Sequence, residues 1–191
     1  MDATRDHRLM SHPWVEAAQA NPIRTAAAAV AVGGAATILG AWFFQVVVGL
    51  KPCPLCLEER YVYYFGIPLA VLVLLGESVG SSRKVLLGAL AVIVAGMLWN
   101  AGLSTYHAGV EWKWWPGPPD CSGPLDPLGS AGGGLLHDLQ SISVVRCDEA
   151  AWRFLGISLA GYDALISLGL AAAAAWGVWM GWRNARMANG E

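Results

Sequence analysis

Four apolar stretches, Ile23–Val48, Leu57–Gly76, Val85–Tyr106 and Leu159–Trp182, are each long enough to cross a lipid bilayer. A spanning helix needs about 20 mostly apolar residues, so this pattern predicts an all-α membrane protein, a bundle of four transmembrane helices. Leu57–Gly76 is the least regular of the four, with Arg60 near one end and Pro68 near the middle. Neighbouring helices can re-satisfy the carbonyl that a proline frees, so the proline does not exclude a span. Composition agrees. Charged residues make up 14% of the chain, where a soluble domain carries about a quarter. The net charge of -2 gives no basic field for nucleic acid, and the expected surroundings are a lipid bilayer.

Residues 1–22 are polar, and the apolar run that follows is too long for a signal-peptide core, so the first helix is expected to stay as an anchor. Four spans put both termini on one side. That side would hold Arg5, Arg8, Arg24, Arg83, Lys84, Arg183 and Arg186, against Lys51, Arg60, Lys113, Arg146 and Arg153 on the other. Three of the latter lie in one long loop, where the positive-inside rule counts less. The tails 1–22 and 183–191 are therefore expected in the cytoplasm, the membrane domain over 23–182, and a periplasmic loop over 107–158.

All four cysteines then fall on the outer side. Cys53 and Cys56 lie between the first two spans, and Cys121 and Cys147 in the long loop. An even number of cysteines on an oxidising face suits disulfides. In the loop, Pro116, Pro118, Pro119, Pro124 and Pro127 favour extended chain. Leu135, Leu136, Leu139, Ile142 and Val145 recur at helical spacing, so residues 134–145 read as a short amphipathic helix on the membrane surface. Trp112, Trp114 and Trp115, and Trp176, Trp179 and Trp182, are placed as interfacial belts. Gly33, Gly34, Ala36 and Gly40, with Gly169, Ala172 and Ala173, suit close helix approach or serve as plain apolar filler.

The segment Lys51-Pro52-Cys53-Pro54-Leu55-Cys56-Leu57-Glu58-Glu59-Arg60 carries the chemistry. Two prolines hold its entry extended, and a helix is expected to begin at Pro54 or Leu55. Cys56 then sits in the first turn, where free N–H groups and the dipole favour a thiolate. Arg60 follows four residues later on the same face and adds fixed positive charge. Arg60 itself either snorkels to headgroups or binds an oxygen of a polar ligand. Haem attachment is excluded because Leu57, not histidine, follows Cys56. A four-cysteine zinc site is the main metal rival, but 25 residues separate Cys121 from Cys147 where two to four are usual, and no metal site is expected. Cys121 lies in a proline- and glycine-rich stretch open to another protein's thiolate. A static loop disulfide remains the plain alternative for Cys121 and Cys147.

These residues, with Cys147-Asp148-Glu149 and Trp152-Arg153-Phe154-Leu155-Gly156, resemble the disulfide bond formation protein B (DsbB) family from the first helix to the fourth. The resemblance implies a quinone-linked thiol oxidoreductase with ubiquinone or menaquinone as cofactor and a periplasmic DsbA-like thiol oxidase as partner. By position, Cys121 would form the mixed disulfide with the partner, and Cys147 would be its loop mate. Cys53 would exchange with that pair. Cys56 would face the quinone as a thiolate, with Arg60 beside the ring. The family often has a Glu-His pair after the third helix, where this chain has Tyr106-His107-Ala108-Gly109. His107 either binds quinone or caps the helix, the cap being the preferred reading. An oxidase dedicated to one secreted substrate, and a membrane protein with purely structural disulfides, are the competing functions.

Overall fold

The computed structural model describes residues 19–118, 146–188 and 190. Cys121, the proline-rich stretch from residue 119 and the expected surface helix 134–145 lie outside them, as does nearly all of the N-terminal tail. The chain is mostly helical: α1 Pro22–Trp42, α2 Pro54–Ser78, α3 Arg83–Glu111 and α4 Leu159–Ala188. All four are long and apolar enough to span a membrane, and the chain is a multi-pass membrane protein. Each helix reaches past its apolar run at one end or both, because backbone pairing continues into the interfacial residues.

Large apolar side chains cover the outside, among them Val32, Leu72, Val85 and Trp99. A helix that is apolar all round has no watery face, and lipid is the solvent such a surface requires. Around the bundle α1 contacts α2 and α4, and α3 contacts α2 and α4, while α1 and α3 barely meet. Small residues set the close approaches. A Cβ on Gly33 would stand 2.8 Å from Leu170, and one on Gly34 3.0 Å from Ile67. Gly40 and Gly169 have nothing within 4 Å of that position, so close approach holds for only half of those four glycines.

Three local features shape the outer end. The last turn of α1 widens into a π-helix, Phe43–Val47, a form that concentrates at functional sites. Two residues beyond its end stands Gly49, whose φ of +81° suits glycine. Helix α2 begins at Pro54, as expected, with Cys53 as its N-cap, and Pro68 stays within it. Before α4 a two-residue hairpin pairs β1 (Arg153–Phe154) with β2 (Ile157–Ser158). Its turn residues Leu155 and Gly156 have φ of 50° and 83°, the left-handed pair that tight hairpins demand. The belt tryptophans are more than anchors: Trp115 folds back on Gly109, donates to the Tyr106 carbonyl at 2.9 Å and stacks on the Tyr106 ring. At the other end, Arg183 and Arg186 sit over the rings of Trp179 and Trp182.

Candidate active site

The extended backbone of Cys53 turns its sulfur back over the start of α2. There Sγ accepts the Cys56 N–H at 3.3 Å, doing for the helix what serine or aspartate usually does at this position. The Cys56 sulfur lies 2.9 Å from it, and both cysteines are free. The hydrogen bond with the Cys56 thiol pulls the Cys53 thiol below its ordinary pKa; burial opposes this, and the Cys56 N–H reinforces it. In this dithiol the Cys56 thiol and the helix terminus thus favour anionic sulfur at Cys53, three positions earlier than the first-turn argument placed it.

Cys53 is buried, and beyond it lies His107. The imidazole Nε2 is 3.5 Å from Cys53 Sγ, and Nδ1 is 2.9 Å from Glu59 Oε1. Glu111 Oε1 stands 3.9 Å from the same ring. The capping reading of His107 is corrected: α3 runs to Glu111 with Trp112 as its C-cap, so the ring is interior. It is wedged between a sulfur and two carboxylates because α3 crosses α2 at this height. The two sulfurs and a ring nitrogen of His107 lie within 4.8 Å of one another.

On the other side of the dithiol a cavity of about 680 Å³ opens between α1, α2, α4 and the hairpin. Cys56, Glu59 and Arg60 line it; Cys53 and His107 do not. The π-helix contributes Phe44 and Gln45, and Gln45 Oε1 accepts from Arg60 Nη1 at 2.6 Å. The hairpin contributes Phe154 and Trp152, which stack on each other, and Trp152 meets Phe44 at 5.0 Å between ring centres. Deeper in, Tyr63 and Asp163 complete the wall. Asp163 accepts from Tyr63 Oη at 2.6 Å, Asn100 Nδ2 at 2.9 Å and Ser104 Oγ at 2.6 Å.

Cys147 approaches from the long loop. It is disulfide-bonded, fully buried, and packed in one cluster with Cys53 and Leu55. Its neighbour Asp148 is held by Arg146 and Lys113, at 2.8 and 2.5 Å.

Of the residues expected from the sequence, Cys53, Cys56, Arg60, His107 and Cys147 therefore converge on one end of the bundle, and Cys121 lies outside the described residues. Sequence reasoning missed Glu59, Glu111, Asp163 and the aromatic hairpin. A signal existed for Glu59 and Asp163, since ionisable residues inside membrane spans are rare and functional by default, but not for Glu111, which follows the apolar run of the third span.

The family model "Disulfide bond formation protein DsbB" matches residues 23–177. Similar curated proteins, each named disulfide bond formation protein B, include that of Saccharophagus degradans, 27% identical over 85% of this chain and 95% of the relative. That of Xanthomonas axonopodis pv. citri is 30% identical over 75% and 81%, and that of Psychrobacter sp. is 29% identical over 61% and 68%. No solved structure gives a significant match.

Proposed function

The chain belongs to the disulfide bond formation protein DsbB family, and on that premise we propose a two-step thiol–disulfide relay that ends on a membrane quinone. The observation that carries this reading is the burial of Cys147 against Cys53, while Cys56 faces an apolar cavity beside Arg60.

A thiolate of a DsbA-like periplasmic partner attacks Cys121, and the partner's second thiol resolves the mixed disulfide. The partner leaves oxidised, and Cys121 and Cys147 are reduced. Cys147 then attacks Cys53; the Cys53–Cys56 bond breaks, and Cys56 departs as a thiolate on the cavity wall. Attack of Cys121 on Cys147 restores the loop disulfide and leaves Cys53 and Cys56 as a dithiol. A disulfide-bonded Cys147 beside free Cys53 and Cys56 supports this order.

The cavity's residues fit a quinone. Its volume falls within the roughly 300–1,000 Å³ of small-molecule sites. Phe44, Trp152, Phe154 and Ile166 offer flat and apolar wall, and Arg60 and Lys51 offer donors for a carbonyl oxygen near Cys56. Bound there, ubiquinone or menaquinone supplies a two-electron acceptor for the dithiol. Arg60 holds the head in place and balances negative charge on Cys56, and the hairpin keeps water out. The Lys and Arg distribution supports an inner-membrane protein with cytoplasmic termini and its cysteines in the periplasm.

The test is quinone reduction by a reduced DsbA-like protein with the purified Cys56→Ser variant. Turnover is expected to vanish, while Cys121 still forms a mixed disulfide with the partner. Undiminished quinone reduction would overturn the assignment.

A further inference from the structure

Closing a dithiol to a disulfide releases two protons, and the two sulfurs are not equally placed to lose them. Cys56 lines the cavity and can release its proton there. Cys53 does not reach the cavity and is 3% exposed. Apart from Cys56 Sγ, the sulfur it must bond to, the proton-accepting side chain within hydrogen-bonding range of its sulfur among the described residues is His107, itself 2% exposed and also shut off from the cavity. Across the ring, however, stands Glu59, bonded at 2.9 Å and forming part of the cavity wall.

Taking the relay reading as its basis, we infer that His107 and Glu59 carry the proton of the Cys53 thiol into the cavity. Nδ1–H of the neutral ring donates to the Glu59 carboxylate, which leaves Nε2 free to accept from sulfur. As the Cys53–Cys56 bond forms, both S–H bonds break and two electrons pass to the quinone. The Cys53 proton moves to Nε2, the Nδ1 proton moves to Glu59, and Glu59 delivers it on the cavity side. The Cys56 proton enters the cavity directly. Two protons and two electrons thus reach the same space, as full reduction of a quinone requires.

The groups that face the ring are Cys53 and Cys56 from the start of α2, Glu59 from α2 and Glu111 from α3. Glu111 is the rival acceptor. Its nearer oxygen is 3.9 Å away, and it does not line the cavity, so it leads the proton nowhere. Ser104, which adjoins Glu59 and donates to Asp163, keeps the Glu59 side of the pathway polar. His107 is the catalytic residue here, since it touches a reacting sulfur. Glu59 acts through it.

The experiment is reduced-minus-oxidised infrared difference spectroscopy on the full-length protein in quinone-free nanodiscs, with dithiothreitol and diamide setting the state of the dithiol. Coupled carboxyl and imidazole bands are expected. Glu59→Gln, which keeps the acceptor oxygen for His107, should remove the carboxyl band, and Glu111→Gln should leave it. With a water-soluble quinone, His107→Gln should slow dithiol closure by about 100-fold or more, and Glu59→Gln should also slow it. A difference spectrum without a carboxyl band, or one that survives Glu59→Gln, overturns the inference even if quinone reduction proceeds normally. The expected bands in a protein that reduces no quinone would leave the proton path standing and sink the relay.

Discussion

The two ends of the bundle are built on opposite principles. At the end of the α2–α3 turn, Ile23, Ala26, Leu90 and Ala174 are almost wholly buried, and glycine is spent on contact. A Cβ on Gly177 would clash with that of Ala26 and stand 3.3 Å from the Pro22 carbonyl, and one on Gly181 would meet Leu87 and Ile23. At the cysteine end the helices draw apart around about 680 Å³, and the interior holds Glu59, Asn100, Ser104, His107 and Glu111. Lipid offers no hydrophobic drive to press helices together, so small-residue contact must supply the cohesion. One end holds the bundle shut, and that frees the other to keep a cavity and a buried polar cluster.

Crowding one end should cost the most. Gly177→Val forces a branched side chain between α1 and α4 and is expected to cost about 3 kcal/mol or more, overpacking of a rigid contact. Gly40→Val, on the cavity wall with nothing within 4 Å of its Cβ, should change stability by less than about 1 kcal/mol while narrowing the cavity. Unfolding midpoints in detergent compare them, and equal losses would erase the distinction. Next in size is Asp163→Ala. It leaves Ser104 only Glu59 as a partner, while Tyr63 and Asn100 retain Ser167 at 2.9 and 3.0 Å. The expected loss is about 1–3 kcal/mol, and loss near zero would mean that the buried polar cluster adds nothing to cohesion.

The helices themselves were legible in the sequence, because span length is a local property; the close-packed end was not, since its tight contacts fall at Gly177 and Gly181 rather than at the glycines the sequence singled out. Also legible were the start of α2, where Pro54 suits the first turn of a helix, and the shared face of Cys56 and Arg60, four residues apart. His107 was misread as a cap because its partners are remote: Glu59 is 48 positions away and Cys53 54. No periodicity encodes which helix crosses which at what height. Asp163 shows the same limit, since Tyr63 is 100 positions away. The hairpin escaped notice for a different reason. Two-residue strands have no alternation to read, although Leu155-Gly156 before an apolar run was a turn signal.

A chemical contrast comes between these and the smallest effect. Cys53, with its lowered pKa, carries charge below the pH at which an ordinary thiol does. Its folded-state contribution is therefore complete above the unfolded thiol's pKa, about 8.5, and is lost as pH falls through the lower folded value. In the reduced protein, alkylation by a small maleimide should stay measurable below pH 8.5 where that of an unstructured cysteine fades. An ordinary thiol profile at Cys53 would deny the N-cap its electrostatic role.

The smallest effect lies at the root of the long loop, where charge in water replaces burial. The Arg146 and Lys113 hydrogen bonds hold the Asp148 carboxyl well below the usual range. A depressed carboxyl contributes above the unfolded pKa near 3.9 and loses its effect only as pH falls through the lower folded value. Between pH 5 and 8 the link is constant, so it cannot shape a pH profile of activity there. What it does is tie the residue after Cys147 to Lys113, just past the end of α3. Exposed ion pairs are weak and screened by salt, so Asp148→Asn should slow exchange between Cys147 and Cys53 by less than about fivefold. Rapid acid quenching would measure the rate, and the difference should shrink at 1 M salt. A larger loss that salt leaves untouched would mean that the loop root, like the dithiol end, works by buried contact rather than by surface charge.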